Sequence, residues 1–191
     1  MKKRIVLIAC TTLSIVYSYA QNEISKTLEI DTKKSELKWS GEYAFYFGGH
    51  NGTISFEEGY FIKNDDVISG GEFIIDMTSI VCNDIDDEEA NEGLIDHLKN
   101  EDFFNVEKFK TAKLVITSVE YHDNTRIKVY ANLTIKNITL PINFQAEVDY
   151  EKQQMTTKFK IDRQRWGIDY NSKLRDGAIA DGIGFEVTLS L

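Results

Sequence analysis

The sequence predicts an all-β protein built from antiparallel strands, with one or two short helices. Two observations carry this. Apolar and polar residues alternate with period two through most of the C-terminal half, and compact turn signals separate shorter apolar runs before it. Only one segment shows helical spacing instead.

The alternation is clearest in four segments. Leu140, Ile142, Phe144, Ala146, Val148 and Tyr150 alternate with Pro141, Asn143, Gln145, Glu147 and Asp149. Ile127, Val129, Ala131, Leu133 and Ile135 alternate with polar residues and Tyr130; Met155, Thr157, Phe159 and Ile161 alternate with Thr156, Lys158 and Lys160. Phe185, Val187, Leu189 and Leu191 complete the set. One apolar and one wet face per strand is the mark of antiparallel sheets; parallel sheets covered by helices read as continuous apolar runs. Weaker strand patterns cover 37–43, 52–63, 67–80 and 112–121, divided by Gly48-Gly49, Asn64-Asp65-Asp66, Gly70-Gly71 and Asp123-Asn124. Eight or so strands make either a closed barrel or a two-sheet sandwich, and periodicity alone does not choose. The spacing of Ala90, Leu94 and Leu98, with Ile95 beside them, predicts one amphipathic helix over 88–99. Acids crowd its start and Lys99 lies near its end, as the helix dipole favours. The following Phe103-Phe104 pair is placed to close a barrel end.

Residues 1–20 read as a signal peptide: Lys2, Lys3 and Arg4, an apolar stretch, then Ser18-Tyr19-Ala20 with small residues at −3 and −1 of a cleavage site. The expected destination is therefore exported, periplasmic or secreted. Leu7-Ile8-Ala9-Cys10 also resembles a lipoprotein box, but lipidation at Cys10 would leave only residues 5–9 as an apolar core, so cleavage after Ala20 is preferred. The remaining chain suits one domain. Removing the three leader cations takes the net charge from −9 to −12, which argues against nucleic acid or an anionic membrane surface as partner. Cys82 is then the one cysteine left, so the fold holds without an internal disulfide.

Few residues invite chemistry. The acidic run 83–89 lacks the glycine an EF-hand loop needs, since Glu88 stands in that place, and reads as a solvated helix start. His50, His97 and His122 have no partner at metal-ligand spacing, so no metal site is expected. His97 and His122 are expected to face solvent; His50, after two glycines at an expected rim position, is the best polar ligand contact of the three. Negative neighbours work against a thiolate at Cys82. Neither a nucleophile elbow nor a phosphate-cradling loop is present, and no catalytic residues are expected. The three sequons at Asn51, Asn132 and Asn137 read as ordinary strand and turn residues.

Several motifs follow one another in order: Trp39-Ser40-Gly41, Gly49-His50-Asn51-Gly52-Thr53-Ile54, and the run from Gly70-Gly71 through Phe73, Ile75 and Asp76-Met77 to Ile80. Leu94 to Lys99 with Asp102-Phe103-Phe104, Asn132 to Lys136, Ile161-Asp162-Arg163 with Trp166-Gly167-Ile168, and Ile179-Ala180-Asp181 complete the series. Together they resemble the YceI-like polyisoprenoid-binding proteins, over residues 28–191. The resemblance implies a lipocalin-like eight-stranded antiparallel β-barrel around an apolar cavity, a bound isoprenoid lipid or quinone, no cofactor and no catalysis. The segment 171–178 looks shorter than usual for the family, and 43–47 is richer in aromatics, so the two departures both fall near the expected cavity mouth.

On that basis the cavity candidates are Trp39, Phe56, Phe73, Ile75 and Leu133, together with Ile135, Phe144, Phe159, Trp166 and Val187. His50 and Arg163 are the polar candidates at its mouth, Arg163 with Asp162, Asp176 or Asp181 as a structural partner. Three functions compete: a carrier or store of an apolar amphiphile, an interaction or adhesion module using the barrel as scaffold, and an enzyme, for which no nucleophile, base and orienter can be assembled. Transient membrane contact and a homodimer are both compatible with the first.

Overall fold

The alternating segments form strands whose apolar faces all turn to one side. The computed structural model describes residues 25–45, 47–65, 67–170 and 179–191. The leader with Cys10, the rim residue Tyr46 and the departure at 171–178 lie outside the described residues. In chain order the elements are β1 (Ser25–Glu29), β2 (Glu36–Tyr43), β3 (Gly49–Asn64), β4 (Val67–Cys82), α1 (Glu88–Lys99), β5 (Thr111–Tyr121), β6 (Arg126–Ile135), β7 (Ile138–Asp149), β8 (Gln154–Asp162), a 3₁₀ turn (Arg163–Trp166) and β9 (Ile179–Ser190).

All the strands pair antiparallel, in the order β1-β3-β2-β9-β8-β7-β6-β5-β4, and β4 returns to β3 to close the sheet. Closure decides for a barrel over a sandwich. Nine strands make eight staves, because β1 and β2 share one: β1 pairs with the far half of β3 (Ser25 opposite Asn64) and β2 with its near half (Leu37 opposite Ile54). The interior is the predicted apolar register, with Ile127 and Val129 fully buried and Ala131, Leu133, Phe144 and Ala146 almost so. The hairpin from β6 to β7 is a two-residue turn at Lys136-Asn137, both left-handed (φ 49° and 62°), and it fixes that register.

β3 and β4, each 16 residues long, must coil to fit a barrel, and bulges let them do so. Between the pairs Ser55–Asp76 and Thr53–Val81, β4 carries the extra residues Met77 to Ile80. Ser79 satisfies the ladder there: its hydroxyl accepts from the Ser55 N–H (2.7 Å) and donates to the Asp76 carbonyl (2.6 Å). Across the same bend the Trp39 indole donates to the Val81 carbonyl at 3.1 Å, passing over Gly52. A Cβ on Gly52 would lie 1.8 Å from the Val81 oxygen and 2.8 Å from the indole nitrogen, so only glycine fits.

The seam between β7 and β8 is short. Among the described residues it holds four pairs, from Ala146–Thr157 to Asp149–Gln154. Above it, 138–145 have no ladder partner on that side, which is where a strand tolerates Pro141.

α1 caps the end of the barrel that holds the β3 start and the β4 finish. The Asp87 carboxylate accepts from the Ala90 N–H at 2.9 Å, and Glu88 and Glu89 occupy the first turn. The buried stripe is narrower than expected: Leu98 is buried and Leu94 and Ile95 partly so, while Ala90 is exposed, because the helix touches the barrel mainly through its last turns. Phe103 and Phe104 then tuck beneath it, and Lys136 ties the cap to the wall by donating to the Phe103 and Gly167 carbonyls (2.8 and 3.2 Å).

Candidate ligand site

The inward faces do not pack to full density. They leave two narrow chambers along the barrel, of about 80 and about 60 Å³, both lined almost wholly by apolar atoms. The larger is mid-barrel and is bounded by Phe56, Phe73, Ile75, Leu133, Ile135, Phe144, Phe159 and Val187 among others. The smaller lies under the helical cap, against Trp39, Tyr43, His50, Leu94, Leu98 and Phe103. Ile54, Phe104 and Phe185 border both and form the partition. Aromatic contacts stiffen the walls: Phe144 and Phe159 stack with centroids 4.7 Å apart, and Phe159 leans on Phe185 at 5.4 Å.

One cavity candidate, Trp166, and one mouth candidate, Arg163, stand elsewhere. Trp166 is fully buried but faces neither chamber; its indole donates to the Leu133 carbonyl at 3.1 Å, which pins the 3₁₀ turn against β6. Arg163 is 1% exposed and also lines neither. Its guanidinium donates to the carbonyls of Ile168 and Ala180 and to the Asp181 carboxylate, at 3.2 Å for the last. Of the acidic partners weighed, Asp176 lies outside the described residues, Arg163 meets Asp181, and Asp162 caps the turn by accepting from the Gln164 N–H. A buried fork that satisfies backbone carbonyls holds structure together, and three of its five donors are spent on Ile168, Ala180 and Asp181.

His50 does stand at the mouth. Its Nε2 is 2.7 Å from the Tyr43 hydroxyl, and its Nδ1 is buried 3.4 Å from Asp84 Oδ2 without a hydrogen-bonding alignment. Asp84 Oδ1 accepts from the Cys82 thiol (3.0 Å) and from the Asn51 N–H (3.2 Å). Burial pushes the Cys82 thiol up, and the bond it donates to Asp84 adds to this. Partial burial works to raise the Asp84 carboxyl, but the bonds from Cys82 and Asn51 and the nearby imidazole outweigh it and hold it below the usual carboxylate range. The carboxylate sits between thiol and imidazole, so the base does not touch the nucleophile as nucleophilic catalysis requires.

This grouping was beyond sequence reasoning, because the bulged β3–β4 register that sets Gly52 opposite Cys82 has no local signal. His97 also differs from expectation. It is half-buried against Phe103 and Tyr170, with ring centroids 5.9 and 4.4 Å away, while His122 is exposed as expected.

A closed antiparallel barrel with an apolar interior and a polar rim is the architecture expected from the motif series. The model of the YceI-like domain matches residues 28–191, and the chain belongs to that family, a lipid-binding barrel family of the polyisoprenoid-binding type. BcnA of Burkholderia cenocepacia is similar in structure, with a TM-score of 0.62 at 16% identity, over 84% of this chain and 98% of that one. A Campylobacter jejuni YCEI protein variant crystallised with a monobromobimane guest has a TM-score of 0.51 at 19% identity, over 71% and 82%. At these identities the likeness speaks for the fold alone. No curated protein sequence matches the chain.

Proposed function

We propose that the protein is an exported, non-catalytic carrier or store for an apolar amphiphile, an isoprenoid lipid or quinone, held with its tail in the barrel. The observation that carries this is the pair of apolar chambers inside the barrel, one mid-barrel and one beneath the cap. Dry apolar space inside a folded chain costs stability unless something fills it.

The volumes set the terms of binding. A cavity of roughly 150 Å³ accommodates one benzene, and each chamber is about half that. Together the two chambers of the closed form therefore have room for about one isoprene unit. A longer tail enters by rotating the partition rings, Phe104 and Phe185, out of line. The gain per buried CH₂ is ~0.8 kcal/mol from water, but a tail drawn from a membrane leaves an equally apolar medium, so exchange stays reversible. The rim suits such exchange: Phe45 is 71% exposed and Phe47 fully so, beside the mouth formed by Tyr43 and His50. Exposed rings of this kind sit well at a bilayer interface, and with an acidic chain they favour a neutral lipid surface. The basic-then-apolar leader supports export.

The test is a melting series on delipidated protein with prenyl alcohols, prenyl phosphates and quinones of rising tail length. Binding to the folded state alone stabilises by about 2.7 kcal/mol at a hundredfold excess over Kd, a shift of several degrees. The expected pattern is a shift that grows with tail length and then levels. Flat curves for every compound would overturn the carrier reading and leave a barrel used as a scaffold for protein contacts.

A further inference from the structure

We propose that His50, Cys82 and Asp84 form a binding site for one zinc-type divalent cation at the barrel mouth. One ligand atom from each lies within 4.8 Å of the others. The three come from separate places, the start of β3, the last residue of β4 and the loop before α1, so no sequence spacing announces them.

The geometry is close to what the ion needs. Zn–N, Zn–O and Zn–S bonds of about 2.0–2.3 Å in a tetrahedron place ligand atoms roughly 3.3–3.7 Å apart. Here Sγ lies 3.0 Å from Oδ1, and Nδ1 lies 3.4 Å from the other carboxylate oxygen, Oδ2. With one carboxylate oxygen as ligand, the separations are all within 4.8 Å and must change by up to roughly an ångström, which side-chain rotation supplies. What holds the three together now is hydrogen: Asp84 accepts from the thiol and faces the imidazole. An ion at their centre takes the place of the thiol proton, with thiolate, imidazole and carboxylate as ligands and water in the fourth position.

Two further observations point to a ligand. His50 Nδ1 is buried and makes no hydrogen bond, so its capacity is unspent. Its other nitrogen already has the partner a metal-bound imidazole needs, since the Tyr43 hydroxyl at 2.7 Å can accept from Nε2–H and leave Nδ1 free to coordinate. The scaffold is also fixed. Asn51 donates its N–H to Asp84, Asn83 donates to the Asn51 carbonyl at 2.9 Å, and the Asn91 amide donates to the Cys82 and Ile85 carbonyls. Neither His50 nor Asp84 is sealed off, with side chains 31% and 26% exposed, so the ion has an entry path. The donor set selects the metal class: one nitrogen, one sulfur and one carboxylate suit zinc, whereas calcium takes six to eight oxygens and magnesium an octahedral oxygen shell.

The experiment titrates Co²⁺, then Zn²⁺, into the reduced, metal-free protein. One equivalent of Co²⁺ is expected to give tetrahedral ligand-field absorption together with thiolate-to-cobalt charge-transfer bands, both abolished by Zn²⁺. Zn²⁺ is expected to raise the melting temperature and to slow alkylation of Cys82. Cys82→Ser should remove the charge-transfer bands. Because Cys82 is buried and its substitution perturbs packing, His50→Gln is the parallel test: it sits at the rim, and it should weaken binding tenfold or more while leaving the melting temperature of the metal-free protein in place. Tyr43→Phe should weaken binding by about 10–100-fold. Co²⁺ spectra without charge-transfer bands, or affinity and thiol protection unchanged by His50→Gln, would overturn the proposal.

Discussion

Phe104→Ala tests the partition directly. Phe104 is 9% exposed and borders both chambers, so removing its ring joins them. Truncating a buried phenylalanine costs about 3–5 kcal/mol. At roughly 2–4 °C per kcal/mol for a chain of this size, the empty variant should melt roughly 6–20 °C below the parent. The lost ring leaves room of about one benzene, which brings one further isoprene unit inside. Burying that unit's five carbons returns about 4 kcal/mol gross at ~0.8 kcal/mol per CH₂, close to what the truncation removed. The variant should therefore regain most of the lost stability with a ligand one or two units longer than the parent's best, and little with shorter ones. The assay is thermal melting of both proteins against geraniol, farnesol and geranylgeraniol. An identical tail-length optimum in the two proteins would refute the idea that Phe104 divides a single channel.

Two further outcomes are expected. Arg163→Lys should lower the melting temperature by several degrees, because lysine cannot serve Ile168, Ala180 and Asp181 at once and each buried acceptor left without a donor costs about 1–3 kcal/mol; unchanged melting with altered ligand affinity would place Arg163 at the ligand instead. Tyr121, whose hydroxyl accepts from the Ile68 N–H at 2.6 Å and donates to its carbonyl at 3.2 Å, is pushed up to about 12 by burial. An unfolded tyrosine loses its proton near pH 10, so between about pH 10 and 12 the unfolded chain binds fewer protons than the folded one and stability falls as pH rises. Tyr121→Phe should be less stable at neutral pH yet lose less stability across that window; parallel alkaline melting curves for the two proteins would contradict this.

The strands from β6 to β9 were legible because each keeps one face in the core and the other in water, so burial writes itself into the sequence as alternation. β1 was not, since Ser25 to Glu29 stay largely exposed and carry no such pattern. The ends of β3 and β4 reach two or three residues beyond their apolar runs because backbone pairing, not side-chain burial, continues there. Much of the larger chamber's lining followed from the same inward register: Phe73, Leu133, Phe144 and Val187 all border it. Alternation says which residues point in but not where they leave space, and Trp166 points in only to fill a gap completely. Arg163 looked like a rim residue since charge is expected at a surface, whereas its fork is buried among carbonyls. The His50–Asp84–Cys82 grouping depends on a register shifted by bulges, which only the folded chain displays.

The broken first stave has a consequence for orientation. Ser25 is paired with Asn64, fourteen residues along β3 from His50. That is roughly 45 Å of strand at ~3.3 Å per residue, or roughly 35 Å along the axis at a tilt of ~40°. Ser25 thus lies at the pole opposite the aromatic rim. Were the protein fastened to a bilayer through the residues preceding Ser25, a short fastening would aim Phe45 and Phe47 at the aqueous side, away from the lipid they are suited to touch. Lipidation at Cys10 would put the anchor fourteen residues before Ser25, a reach of at most about 48 Å at ~3.4 Å per residue, which exceeds the distance the rim would have to come down. Cleavage after Ala20 would instead free the barrel to approach either way up.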